Sequence, residues 1–567
     1  MLPHKLFVMT NKQIAKSLQE VADLLELTGG NPFRARAFAN AARLLQRLPE
    51  QVKDLATAGA LTGVQGIGSG LAKDIEVLLD TGSLPQRAEL VAKLPPGLPE
   101  LLQIKGLGVK KVRSLWQSLG ITSVGELAVA ARENRLVNAE GFGKKSQEQL
   151  LESTLRLESY RAQRRYATVY RMLMPLLDAL EQQSGIEVCV MTGDFRRKMP
   201  TISELAVLIQ ATSEAVIAPA FEAIGIPVRQ TNPHTWRFNL EDGFEVEVVW
   251  IPEAAFGTEC LVRTGPQRFV EAMIQKMGGL PEVEVEEKLF QRAGLAFVSP
   301  ELRDLASALS WAETNTLPKL IEVSDLRGTL HNHSTYSDGA HSLEKMAETA
   351  RHLGLEYYGA CDHSRSLAVA NGMSIERVME QQREIADRNA AYAAKGTNFR
   401  IFSGIESDIL NDGSLDYPDE VLTSFDLVVA SIHNGFNMTE AVATQRLITA
   451  IENPYTTILG HPTGRLLLAR EGYPVHHHKI IDACAANGVA IELNANPYRL
   501  DLDWAWIPYA LEKGVFIAIN PDAHSIEGLQ DVFWGIEVAR KAGLTTDLCL
   551  NAMDRFAFEH WLRLKNQ

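Results

Sequence analysis

The sequence predicts a multidomain chain: an α-helical N-terminal region, an α/β middle, and a C-terminal parallel (β/α)7 barrel of distorted TIM-like form. Three observations carry that prediction. At 567 residues the chain is too long for one core and should divide into several domains. Within the first 150 residues, three Gly-x-Gly turns separate segments of helical periodicity. From Asp325 onward, short apolar runs alternate with amphipathic stretches, the pattern of parallel strands joined by helices.

Residues 11–60 read as helices, with Ile14, Leu18, Val21, Leu24 and Leu25 at helical spacing and Asn31-Pro32 opening a second element. The turns Gly66-Ile67-Gly68, Gly106-Leu107-Gly108 and Gly141-Phe142-Gly143 each follow a short apolar segment and open a helix. Glycines there permit a tight turn that brings backbone N–H groups up to a phosphate at a helix N-terminus. Lys110-Lys111 and Lys144-Lys145 add positive charge at that end, which positions a nucleic-acid backbone without reading bases. One such turn is usually only a turn; three, two of them followed by paired lysines, predict helix-hairpin-helix contacts with DNA. Charge agrees with this placement. Residues 1–170 hold 23 Lys and Arg against 16 Asp and Glu, whereas the remainder holds 33 against 54.

In the middle region, Arg165 to Leu180 reads as a helix and Ile186 to Met191 as a strand. Thr192 to Arg197 forms a loop, Ser203 to Ile209 leads into a second strand, and Phe244 to Trp250 alternates like a third. Beyond Asp325 helices are expected at Leu343–Leu353, Ile375–Ala394, Thr439–Glu452, His477–Asn487 and Pro508–Lys513. Six apolar runs end in a side chain that binds metals: His331 and His333, His363, Glu406, His433, His461, and Asp522 with His524, while Asp338 lies in the first loop. In a parallel barrel those strand ends share one face. Neutral imidazoles suit Zn²⁺ or Mn²⁺, carboxylates bridge ions, and clustered cations lower the pKa of bound water toward 7. A lone histidine at a strand end is usually structural; six with three acids predict one metal cluster. His476-His477-His478 follows Pro474 at a helix start and is expected to be surface.

The motifs HNHSTYSDG, DHS (362–364), GIESDI (404–409), SIHNG (431–435), GHPTG (460–464) and PDAHS (521–525) closely resemble the PHP (polymerase and histidinol phosphatase) family. That resemblance implies three ions. His331, His333, Glu406 and Asp522 would surround one; Glu406 would bridge to a second held by His433 and His461; Asp338, His363 and His524 would hold the third. Glu406, His433 and Asp522 are then the catalytic candidates, acting through water activated by the ions. Arg365 and Arg465, just after ligand motifs, are candidates for substrate phosphate.

Upstream, the hairpin turns with NPFRARAFANAARLL (31–45) and the strand pattern after them resemble family X DNA polymerases. The implied domains are an N-terminal helical domain with the first hairpin over 1–85, a fingers-like hairpin region over 86–160, palm over 161–252, thumb over 253–320, and PHP domain over 325–567. The departures fall on the chemistry. Asp74 stands where the family's lyase lysine is expected, and Lys73 is one residue off, a turn of about 100° on a helix. Arg196 and Arg197 match the triphosphate loop, but Asp194 replaces its serine; the Asp-x-Asp pair becomes Glu204-Leu205-Ala206, and the third acid is Glu247. Mg²⁺ demands near-ideal octahedral geometry, so loss of a carboxylate to Ala206 is expected to weaken a palm Mg²⁺ site severely.

The resemblance thus implies a DNA-binding, Zn²⁺- or Mn²⁺-dependent phosphodiesterase, a 3′→5′ exonuclease or 3′-end-processing enzyme of repair, on a scaffold of weak polymerase activity. Its expected partner is DNA with gapped, nicked or single-stranded 3′ ends. The alternatives are a working gap-filling polymerase with a proofreading nuclease, a non-catalytic DNA-binding scaffold, and a small-molecule phosphatase. Composition narrows the setting. The five cysteines form no CxxC pair and the count is odd, which argues against a disulfide framework or a thiolate zinc site. No apolar run approaches the roughly 20 residues that span a bilayer, and the start, MLPHKLFVMTNKQ, lacks a signal-peptide core. A monomeric, nucleoid-associated protein of the bacterial cytoplasm with no membrane partner is the expectation.

Overall fold

A computed structural model of the chain describes residues 11–45, 48, 50–102, 104, 106–139, 142–158 and 163–565. These form two units. One runs from residue 11 to Ala131 and includes Leu136–Thr154; the other comprises Arg132–Arg135 and the chain from Leu155.

The first unit is helical. Asn11–Leu27 packs on Pro32–Leu45, and the apolar positions at helical spacing, Ile14, Leu18, Val21 and Leu24, are buried with Phe38, Ala41 and Leu45. Gly66 and Gly106 take φ of +104° and +92°, a region only glycine enters freely. Each precedes a glycine N-cap, Gly68 for the helix Ser69–Thr81 and Gly108 for Val109–Leu119. Gly143 leads into the third helix, Lys144–Glu158. Gly141 lies outside the described residues.

In the second unit a five-stranded sheet is built from β1 (Ile186–Met191), β2 (Ala206–Ala211), β3 (Arg229–Asn232), β4 (Thr235–Asn239) and β5 (Glu245–Trp250), in the order β1-β2-β5-β4-β3. Only β2 and β5 run parallel, which sets Ala206 beside Glu247. The helices Glu253–Thr264, Gln267–Met277 and Glu287–Arg292 follow, packing Leu261, Phe269, Met273, Leu289 and Phe290 into their own core.

The C-terminal part is a nearly closed barrel of seven parallel strands in sequential order: β6 (Gly328–Thr329), β7 (Tyr357–Ala360), β8 (Arg400–Asp408), β9 (Leu427–Ser431), β10 (Ile458–Leu459), β11 (Ala490–Asn494) and β12 (Ile517–Asn520). First and last strands meet just past their ends, where the His333 amide donates to the Ala523 carbonyl at 2.9 Å. Strand periodicity of two puts Phe402, Gly404 and Glu406 on the inside, and Ile401 and Ile405 outside against the helices. At the bottom the helix Arg555–Lys565 plugs the barrel: Phe558 stacks on Tyr357, with ring centroids 4.9 Å apart. A Cβ on Gly460 would lie 2.2 Å from Ser431 Oγ, so only glycine lets β10 approach its neighbour just before His461. Helix starts are set by capping. The side chains of Ser342, Ser374 and Thr439 accept from the amides of Lys345, Arg377 and Val442, each worth about 1 kcal/mol.

Candidate metal centre

The top of the barrel gathers all nine predicted side chains. Because residues two apart on a strand point the same way, His331 and His333 enter together just after β6, and both are fully buried. Glu406, inside β8, stands at the middle of the group. Its Oε1 lies 3.0 Å from His461 Nε2, 3.1 Å from His433 Nε2 and 3.4 Å from His331 Nε2. Its Oε2 lies 2.8 Å from His363 Nδ1 and 3.6 Å from His333 Nε2. Asp522 Oδ1 lies 3.0 Å from His333 Nε2, and Asp338 Oδ1 lies 3.4 and 3.6 Å from the Nε2 atoms of His524 and His363. Ligand atoms fall within 4.8 Å of one another in three overlapping groups: His333, Asp338, His363 and His524; His331, His333, Glu406 and Asp522; and His363, Glu406 and His433. The sets expected from sequence differ in giving His461, rather than His363, to the ion shared by Glu406 and His433; both histidines face Glu406.

Residues outside the predicted set hold these side chains in place. Glu492, in β11, accepts from His331 Nδ1 at 2.7 Å, from Asn520 Nδ2 at 3.1 Å and from Asn494 Nδ2 at 2.9 Å. That fixes the His331 tautomer and leaves Nε2 facing the cluster. Asp408 does the same for His433 through Nδ1, and itself accepts from Ser366 Oγ at 2.7 Å. Asp362 binds the amides of Ser334 and Ser337 at 2.8 and 3.0 Å and the Gln381 side chain at 2.6 Å, which orders the loop carrying Asp338. Asp522 has φ of +52°, a strained conformation costing about 1–3 kcal/mol that aims its carboxylate at His333. A signal for the two acids was present in the sequence: Asp408 lies two residues past Glu406 on one strand face, and Glu492 is a charge inside an apolar run.

The donor set fits metal ions. Nε2 of His331, Nδ1 of His333 and His363, Oε2 of Glu406 and Oδ2 of Asp338 are buried and make no hydrogen bond. Orphaned lone pairs in a dry site are costly unless a cation takes them up, and mixed imidazole and carboxylate donors suit Zn²⁺ or Mn²⁺. Charge within the cluster is mutually compensated. Burial favours the neutral Glu406 carboxyl, but the imidazoles of His433, His331 and His363 hold it well below the usual range. Burial likewise opposes charge on His433 and His524, yet Glu406 with Asp408 and Asp338 with Asp522 push them up to about 10. His333 is lowered to about 4 by burial and by the neighbouring His524 and His363.

Because Asp408 touches only His433 among the candidate ligands, Asp408→Asn is expected to reduce metal affinity and turnover about 10–100-fold with the fold intact. Titration of the metal-free protein with Mn²⁺ checks this, and wild-type affinity would refute the role.

The other predicted residues do not join the cluster. Arg465 is spent on Asp503 and on the carbonyls of Arg499 and Leu500. Arg365 bonds the Asp416 carbonyl at 2.7 Å and lies over the Tyr417 ring. His477 stacks on Trp506 at 4.3 Å, away from the site. Glu204, in the loop before β2, is exposed, and Glu247 in β5 is paired with Arg237 at 3.2 Å and Arg263 at 3.6 Å. Arg197 binds Asp194 at 2.6 Å and Asp304 at 3.1 Å, and Arg196 binds Glu286 at 2.8 Å. The arginines expected to grip a triphosphate are therefore neutralised internally. In the first unit Lys110, Lys144 and Lys145 are solvent-exposed, and Lys111 lies 5.4 Å over the Phe142 ring. Lys73 is exposed beside Asp74.

Comparison with known families agrees with this organisation. A helix-hairpin-helix domain matches residues 9–84, a SAM-like helix-hairpin-helix tandem 98–154, and a PHP domain 329–496. Probable phosphatases from Thermoanaerobacter sp. (strain X514) and Acetivibrio thermocellus are 32% and 28% identical over 27% and 34% of this chain, covering 63% and 78% of their own lengths. The DNA polymerase/3'-5' exonuclease PolX of Bacillus subtilis (strain 168) is 33% identical over 98% of the chain and 100% of its own length. A match of that extent, with the hairpin domains ahead of a metal-dependent phosphoesterase barrel, places the chain among the bacterial family X DNA polymerases that carry a C-terminal PHP domain.

Proposed function

We propose that this protein hydrolyses DNA phosphodiesters at the barrel site, as a 3′→5′ exonuclease or 3′-end-processing enzyme of DNA repair. The observation that supports the reading best is the gathering of nine side chains, eight buried and His433 half-buried, in one cluster centred on Glu406, several of them with atoms that lack hydrogen-bond partners. The nine candidates His331, His333, Asp338, His363, Glu406, His433, His461, Asp522 and His524 would hold Zn²⁺ or Mn²⁺. Bound there, such ions polarise a phosphodiester and lower the pKa of a coordinated water toward 7. The protein's own contribution is orientation. Glu406 faces donors on both sides, and Asp408 and Glu492 set the tautomers of His433 and His331. Gly66, Gly68, Gly106, Gly108 and Gly143, with Lys110, Lys111, Lys144 and Lys145, are assigned to the DNA backbone. The test incubates 3′- and 5′-labelled single-stranded, gapped and abasic DNA with the Mn²⁺-loaded protein. Shortening from the 3′ end, abolished in His331→Ala and Asp522→Ala, is expected; intact substrates, or variants matching wild type, refute the assignment.

The palm is assigned little or no polymerisation. Its support is local: Ala206 sits opposite Glu247, Glu247 is engaged by two arginines, and the triphosphate loop is closed by Asp194, Glu286 and Asp304. Asp522→Ala protein with a gapped template, Mg²⁺ and all four nucleotides is expected to extend primers no faster than background. Robust template-dependent extension would restore the gap-filling reading.

A further inference from the structure

We propose that Arg499, which neither motif nor spacing singled out, is the residue that binds the scissile phosphate at the barrel site, and that the Glu133 carboxylate occupies its place before substrate arrives. The inference rests on the phosphodiesterase reading. Arg499 lies in the turn after β11, its amide bonded to the Asn496 carbonyl at 2.8 Å, and its side chain is buried beside the cluster. Nε stands 3.7 Å from Asp522 Oδ2, and the NH2 nitrogen 3.6 Å from Glu133 Oε1. Both separations are too long for hydrogen bonds. Accordingly Arg499 Nε and Glu133 Oε1 are among the buried atoms that make none.

A guanidinium retained only for structure would be saturated, as Arg465 is. Arg465 in fact donates to the Arg499 and Leu500 carbonyls, so it holds the turn that presents Arg499. Neutralising Asp522 does not account for the arrangement either, because it leaves unexplained a second buried acid on the same guanidinium. Glu133 belongs to the short segment Arg132–Arg135 of the C-terminal unit, where Oε2 pairs with Arg135 at 2.9 Å and Arg132 reaches Asp531 at 3.3 Å. A carboxylate, like a phosphate, turns a negatively charged pair of oxygens toward arginine, but offers fewer acceptors. A phosphate at this position would form the short, charge-assisted bonds that Glu133 does not.

Binding of inorganic phosphate to the full-length, Mn²⁺-loaded protein by calorimetry tests this without relying on turnover. Arg499→Gln is expected to weaken phosphate binding roughly 10–100-fold, the loss of a hydrogen bond to a charged group. Arg499→Lys should recover part of it, and Mn²⁺ content should remain that of wild type. Glu133→Gln, which leaves every candidate ligand in place, should tighten phosphate roughly 5-fold by removing a like charge. The same variants on labelled DNA should change kcat/KM in the same directions. Unchanged phosphate affinity in both Arg499→Gln and Glu133→Gln overturns the inference. If Arg499→Gln loses Mn²⁺, Glu133→Gln decides alone, and an unchanged or weaker affinity there overturns it. Wild type that binds phosphate but leaves DNA intact refutes the nuclease assignment while this binding comparison still stands.

Discussion

Glu406→Gln is expected to abolish the proposed hydrolysis: activity on 3′-labelled single-stranded DNA should fall roughly 10³-fold, and the protein should retain fewer Mn²⁺ ions. The size follows from position. Five imidazoles face this one carboxylate within 3.6 Å, so it is the only acid common to two of the three ligand groups. Glutamine keeps the shape but withdraws the negative charge and replaces one acceptor by a donor pointed at imidazole nitrogens. Ions at such a site supply several kcal/mol of transition-state stabilisation, and each 1.36 kcal/mol is a factor of ten. The neighbouring strands pack through Ile405 and Val428 on the outer face, which the substitution does not touch, so near-ultraviolet circular dichroism should match wild type. Wild-type turnover with a full complement of metal would remove Glu406 from its central place.

How far the sequence disclosed this site depended on which residues announce themselves. An apolar run followed by histidine marked β6, β7, β9 and β10, and His-x-His on a strand defined one face without any structure. β11 was harder, because it ends in Asn494 and its charged residue, Glu492, sits inside the run; its role exists only through a contact with His331 across the barrel. Asp408 lay inside the motif GIESDI (404–409), yet nothing local separates a ligand from the acid that orients one. Arg365 and Arg465 had the right spacing and the wrong surroundings, since the partners that occupy them, Asp416 and the Arg499–Leu500 carbonyls, come from other segments. The five-stranded sheet shows the converse. That Ala206 brings no carboxylate was visible in sequence, whereas the pairing of Glu247 with Arg237 and Arg263 depends on β4 and the following helix folding beside β5. Helix limits were legible where a cap exists: Thr439 is the cap of Glu440–Ile451 rather than its first residue.

Removing the metal should separate the loaded and stripped proteins in stability, and the gap should widen with pH. At ligand concentrations 1,000 times Kd, binding stabilises by about 4 kcal/mol. For a domain of this size that corresponds to a melting temperature about 10 °C higher. The pH dependence comes from the metal-free cluster. His433 and His524 lie near 10 when folded, above the 6.5 of an unperturbed imidazole. Their contribution to the metal-free fold is therefore complete below pH 6.5 and is lost as pH rises through about 10. The Glu406 and Asp522 carboxyls are depressed, so what they contribute is present above their unfolded values and fades only as acid protonates them. The stripped protein should thus be most stable in mildly acidic buffer and weaken from pH 7 to pH 9. Metal uptake moves the opposite way, because imidazoles must shed those protons to become ligands. Calorimetric melting of Mn²⁺-loaded and chelator-treated protein at pH 6, 7.5 and 9 reads the difference directly. A gap that stays constant or narrows toward pH 9 would mean that these histidines carry no proton that the metal must displace.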